Sequence, residues 1–185
     1  MAEEHIILGI DPGTLLLGFG LLKSAGRKVE YLDMGVLDMR REKNPYVKLQ
    51  TIYNCIGEVC KSYRPDILAI ESPFYAKDAQ VLFKLGRAQG ASVIAAMEYG
   101  ITSVTEYAPR RVKEVVAGNG SASKEQVQLM LEKTLGVKLE SKHLDATDAL
   151  AIALCHHYEM SSPFASAKGK GGWEQFIKDN PGRVK

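Results

Sequence analysis

The chain has 185 residues, 45% of them hydrophobic and 25% charged, with a formal net charge of +2. That is enough material for one globular domain with a real core, and a nearly balanced charge excludes a grip on polyanions through overall charge. Any such grip has to come from local patches. Residues 161–185 hold five Lys/Arg against two Asp/Glu, so the remainder of the chain is slightly acidic. We therefore divide it into a domain over 1–160 and a flexible basic tail over 161–185, where Gly, Ser and Lys dilute the apolar pattern and Trp173 is a late isolated aromatic. Cys55, Cys60 and Cys155 give neither an even disulfide set nor a C-x-x-C spacing, and are expected to be reduced, buried thiols. The acidic start Met-Ala-Glu-Glu-His runs straight into an apolar segment. With no signal peptide and no membrane span to read, the expected location is the cytoplasm.

Residues 5–11 form an unbroken apolar run ended by Asp11-Pro12-Gly13, the pattern of a central strand covered on both faces. Leu15–Leu22 and Val29–Met39 follow as strands, joined through Ser24-Ala25-Gly26-Arg27, and the three should form a meander. From Tyr46 the period becomes helical, with Leu49, Ile52, Tyr53, Ile56, Val59, Cys60 and Tyr63 on one face. Arg64-Pro65-Asp66 stops that helix, and Ile67–Glu71 is a short strand. A right-handed crossover should lay this strand beside the first. A helix rich in Gly and Ala spans Ala79–Tyr99, and a fifth strand spans Thr102–Tyr107. Helices then begin at Pro109, at Lys124 behind the capping-box pattern Ser123-x-x-Gln126, and at Asp145, the last running to about Tyr158. The fold class is α/β, a mixed five-stranded sheet with helices on both faces.

Four carboxylates carry the chemistry. Asp11 and Glu71 each end an apolar strand, where a charge is costly without a compensating cation. Asp145 and Asp148 are three apart on a helix, about 5 to 6 Å between Cβ atoms, and face one side. Two like charges about 4 Å apart at an effective dielectric near 20 repel by about 4 kcal/mol, so such a cluster wants a bound cation. All-oxygen ligation suits Mg²⁺, with Mn²⁺ as substitute. Two such ions can activate a water and stabilise the leaving oxygen of a phosphodiester. Asp11, Glu71, Asp145 and Asp148 are therefore the candidate metal ligands and catalytic residues. His5, His143, His156 and His157 do not have the spacing of a zinc site; His143 is near enough to Asp145 in sequence to tune it without being a ligand.

The blocks Ile7–Thr14, Gly18-Phe19-Gly20, Ala76-Lys77-Asp78, Leu85–Gly90, Tyr107–Lys113, Gly120–Val127 and Asp145–Ala151 resemble, in order, the signature blocks of RuvC-type crossover (Holliday) junction endodeoxyribonucleases. The resemblance covers about Ile6 to His157. It implies an RNase H-like fold and a homodimer that cuts four-way DNA junctions by paired symmetric incision with Mg²⁺, and an association with branch-migration motor proteins. By position, Asp11, Glu71, Asp145 and Asp148 match the family's catalytic carboxylates, Phe74 its base-contacting aromatic, and Lys113 and Lys124 its basic residues near the scissile strand. The chain departs from the pattern at Leu17, at Ser72-Pro73, which alters the setting of Phe74, and at Asp78.

Chemistry adds Lys77 beside Phe74-Tyr75 as a DNA contact, and Lys84, Arg87, Arg110 and Arg111 as phosphate contacts. Two other readings remain. An ATP-binding protein of the actin or sugar-kinase type also carries an Asp-x-Gly-Thr turn like Asp11–Thr14, but 185 residues do not hold its two lobes. A non-catalytic junction-binding module would have no need of all four acids.

Overall fold

The computed structural model describes residues 3–73, 78–139 and 144–161. Strands β1 (Glu4–Asp11), β2 (Leu16–Ala25) and β3 (Lys28–Asp38) form the expected antiparallel meander. Gly26 turns the β2–β3 hairpin at φ 61°, a left-handed conformation that suits glycine. Helix α1 (Pro45–Tyr63) is capped by the Asn44 side chain, which accepts from the Tyr46 and Val47 backbone, and ends at Arg64 in the left-handed region. The chain then returns as β4 (Ile67–Glu71), parallel to β1. After α2 (Ala79–Glu98), β5 (Ser103–Tyr107) adds parallel to β4, and α3 (Pro109–Ala117), α4 (Lys124–Leu135) and α5 (Leu144–Ser161) complete the fold. The sheet order is β3-β2-β1-β4-β5.

Strand alternation sorts the core into two layers. Leu8, Ile10, Leu17, Leu21, Leu68 and Ile70 face α1 and α2, while Ile7, Leu22, Ile67, Ala69 and Tyr107 face α3, α4 and α5. Leu144, Asp145 and Asp148 aside, α5 is buried throughout its first four turns as far as His156 and His157. Its closeness to the sheet is set by glycines. A methyl group built on Gly9 would stand 2.1 Å from the Ala149 carbonyl oxygen, one on Gly18 2.0 Å from that of Asp145, and one on Gly20 2.7 Å from the Leu150 Cα. Gly9 and Gly20 are cross-strand partners, and Gly18 partners Asp11. The three residues make a side-chain-free trough across β1 and β2 into which the α5 backbone sinks.

The sequence placed every element. One detail differs: Cys60 and Cys155 are buried free thiols as expected, but Cys55 is only half-buried, because it stands at the edge of the α1 core face. Phe74, Lys77, His143 and residues from 162 onward, with Trp173, lie outside the described residues. Among the described residues no helix is long and apolar enough to cross a membrane.

Gly9→Ala tests the trough. The new methyl meets backbone, which cannot rotate away, so chemical denaturation should show a loss of about 3 kcal/mol or more, above the usual range for overpacking. A loss below about 1 kcal/mol would show that α5 does not seat there.

Candidate active site

Asp11 is the last residue of β1 and Glu71 the last of β4, and the Ile10–Ile70 register makes them neighbours on the α5 face. The trough brings the α5 N-terminus over them. Asp11, Glu71 and Asp148 line one cavity of about 260 Å³ together with Lys113 and Lys124, walled by Pro109, Val112, Val127 and Ile152. Asp145 does not line it, but stands close enough for its charge to act on Asp11.

Each cation is delivered by a helix start. Pro109 opens α3 and sets Lys113 one turn in. Ser123 and Gln126 form a reciprocal capping box at the start of α4, which fixes Lys124, and its Nζ donates to the Asp148 carboxylate. Burial pulls the Lys124 ammonium down, but Asp148, Asp11 and Asp145 outweigh it, and the net effect holds its pKa above the ordinary value. Burial, then the charges of Asp148 and Asp145, push Asp11 up to about 7. Burial and the charges of Asp11 and Asp148 push Glu71 up to about 8, with Lys124 and Lys113 opposing. The carboxylates are thus in mutual conflict, and two lysines do not settle it.

A divalent cation fits this donor set. The oxygens are hard, the charge is negative and uncompensated, and among the described residues no histidine joins them. His5 is bonded to Asp66 at 2.5 Å, His156 to the Tyr107 hydroxyl at 2.8 Å and His157 to Ser24 at 2.8 Å. Lys124 is paired with the Asp148 carboxylate, and among the described residues no three carboxylates close into a cage as they stand.

Other expected contacts fall differently. Lys84 and Arg87 are exposed on α2, and Arg87 stacks over the Phe83 ring at 4.0 Å. Arg111 is not a free phosphate contact: it bonds Glu159 at 2.8 Å and Glu114 at 3.1 Å. That pair belongs to a brace behind the site, Tyr107–His156 and Arg111–Glu159, which ties α5 to β5 and α3. The Ser72 N–H donates to the Tyr107 carbonyl at 2.9 Å, so the brace reaches the residue after Glu71. Sequence reading passed over Lys48, whose Nζ donates to the Thr14 carbonyl at 2.8 Å and holds the turn after Asp11; on a polar helix face nothing marks it out.

This sheet order, with helices on both faces and acids at the ends of β1 and β4, is the RNase H-like fold. The chain matches the family model described as crossover junction endodeoxyribonuclease RuvC over residues 7–156, and it belongs to that family. It is 47% identical to the protein of that name from Bacteroides fragilis over 185 residues, covering 99% of this chain and 97% of the relative. The Christiangramia forsetii protein is 43% identical, covering 100% and 95%. Among solved structures, Thermus thermophilus RuvC in complex with a Holliday junction substrate superposes with a TM-score of 0.78 at 34% identity, covering 85% of this chain and 95% of that one. The yeast mitochondrial Holliday junction resolvase Ydc2, at 14% identity and a TM-score of 0.61, shares the fold.

Without divalent cation, the native chain should carry more protons than the unfolded one between the ordinary carboxylate range and pH 8, because Asp11 and Glu71 titrate higher when folded. Stability from these groups is then fully present below about pH 4 and lost as pH rises through about 7 to 8. In chelator, Asp11→Asn should raise the melting midpoint at pH 9 by about 2 to 6 °C, corresponding to about 1 to 2 kcal/mol, and Mg²⁺ should raise that of the wild type. Equal midpoints for wild type and variant would contradict the conflict.

Proposed function

We propose that the chain resolves four-way DNA junctions by paired symmetric strand incision, as a Mg²⁺-dependent homodimer. The observation that carries this is the convergence of Asp11, Glu71 and Asp148 at one sheet end with Lys113 and Lys124 beside them, in a member of the RuvC family. Asp11, Glu71, Asp148 and Asp145 would hold two divalent ions, Mg²⁺ or in its place Mn²⁺. Bound there, the ions supply an activated water and charge neutralisation for phosphodiester hydrolysis. The chain's own residues do the positioning. Glu71 and Asp11 are fixed by strand pairing, Asp148 by the buried α5, and Lys113 and Lys124 hold the negatively charged phosphate against the acids.

Two cuts need two sites, and each chain carries one. A self-complementary surface is available on α2, where Gly86, Gly90, Ile94 and Met97 share a face. Nothing lies within 4 Å of a methyl built on either glycine, and Ile94 and Met97 are 60% and 50% exposed. An apolar face with this room accepts a second helix at close range. Phe74 and Lys77 belong to the proposed DNA surface through family position and sequence neighbourhood. A nucleotide-binding protein of the actin or sugar-kinase type is set aside by the family assignment.

The test is a synthetic four-way junction and a matched linear duplex, each with and without Mg²⁺. Symmetric nicks on the junction alone are expected, and they should fall by at least about 10³-fold in Asp11→Asn, Glu71→Gln and Asp148→Asn with junction affinity within a few fold of wild type. Variants that cut normally would remove these residues from the chemistry. Ile94→Glu should elute as a monomer at micromolar concentration and lose paired cutting; an unchanged dimer would place the interface elsewhere.

A further inference from the structure

A groove larger than the carboxylate cavity lies around the sheet edge from it. It holds about 560 Å³ between the β1–β2 turn, the start of α1 and the start of α2, with Thr14 and Leu15 on its floor. Thr14 is three residues past Asp11, and the groove opens on the α1 and α2 side of the sheet, whereas the acids open on the α5 side. Lys43, Lys48, Lys84 and Arg87 line it. Among the described residues none of the four has a carboxylate partner: Lys48 donates to the Thr14 carbonyl, and Arg87 lies over an aromatic ring. The nearby acids are occupied, since Asp78 caps α2 by accepting from Gln80 and Val81, and Glu42 accepts from the Asn44 N–H at 2.7 Å. Phe83 is 60% exposed and Leu15 57%, so apolar surface stands open between cations that no carboxylate neutralises.

That combination has a definite complement. Four cations without carboxylate partners in a groove suit a row of phosphates, and exposed apolar faces between them suit sugar and base surfaces. We propose that this groove is a second DNA contact, which takes the backbone of the junction arm leaving the scissile phosphate as it passes over the Asp11–Thr14 turn. The inference rests on the junction-resolving reading above and adds to it a footing for the arm on the opposite side of the sheet. Lys43 and Lys84 carry the phosphate contact, Arg87 is held flat against Phe83 to meet the arm, and Lys48 fixes the turn between the two surfaces. Neither Lys43 nor Lys48 stood out in the sequence.

The experiment uses the full chain in chelator, so that binding is read without cutting. The Lys43→Gln/Lys84→Gln variant is compared with wild type and with Arg27→Gln/Lys28→Gln, an equal charge loss at the β2–β3 hairpin. Fluorescence anisotropy on a labelled four-way junction gives Kd across a salt series, and hydroxyl-radical footprinting maps the protected backbone. The groove variant should bind at least about tenfold more weakly, with the slope of log Kd against log salt reduced by about 2, while the hairpin control stays near wild type. Its footprint should lose one block of arm protection and keep protection at the cut position. Unchanged affinity and slope would overturn the proposal. So would equal losses in the two variants, which would mean general electrostatics, or a shift from dimer to monomer by size exclusion, which would mean that the groove faces a second copy. Wild-type chain that binds no junction would overturn the resolvase reading itself, an outcome distinct from all of these.

Discussion

One backbone contact governs the rest of this molecule: α5 lies so close to β1 and β2 that only glycine fits beneath it. Gly9, Gly18 and Gly20 contribute no side chains, and the carbonyls of Asp145 and Ala149 occupy the space where methyl groups would be. That contact decides where Asp148 stands. A helix riding on larger residues would sit farther from the sheet and carry Asp145 and Asp148 away from Asp11 and Glu71. The buried Ala, Leu and Ile of α5 make the same contact favourable by removing apolar surface from water on nearly every side of the helix.

The site formed this way is under electrostatic strain. Asp11 and Glu71 are raised to about 7 and about 8 because their surroundings disfavour charge, and Lys124 compensates only part of this through Asp148. A fold optimised for stability alone would put apolar or amide groups there. Retaining the conflict gives the chain an appetite for divalent cation. The Tyr107–His156 and Arg111–Glu159 brace keeps the elements around the site from relaxing apart.

Much of this was legible in the sequence because the signals are local. Alternation and helical period marked the elements, Pro65 and Pro109 marked boundaries, and the right-handed crossover put Glu71 beside Asp11. Other features depend on distant partners. Gly18-Phe19-Gly20 reads as a family block, but that its glycines face the Asp145 and Leu150 backbone emerges only when α5 docks. Arg111 looks like any phosphate-binding arginine until Glu159, 48 residues later, takes its Nε. Lys43 and Lys48 look like a solvated helix start until α2 closes the groove opposite them. Asp145 matched Asp148 in spacing, yet only Asp148 lines the cavity, because Asp145 sits at the very start of α5 above Gly18.

The central claim is that carboxylates from β1, β4 and α5 converge to hold divalent cations. Its most direct test is Mn²⁺ titration at pH 8 followed by electron paramagnetic resonance, which counts bound ions without any reference to DNA. Roughly two ions per chain are expected in the wild type, with loss of both in Asp11→Asn/Asp148→Asn. Full occupancy retained by that double variant would contradict the account.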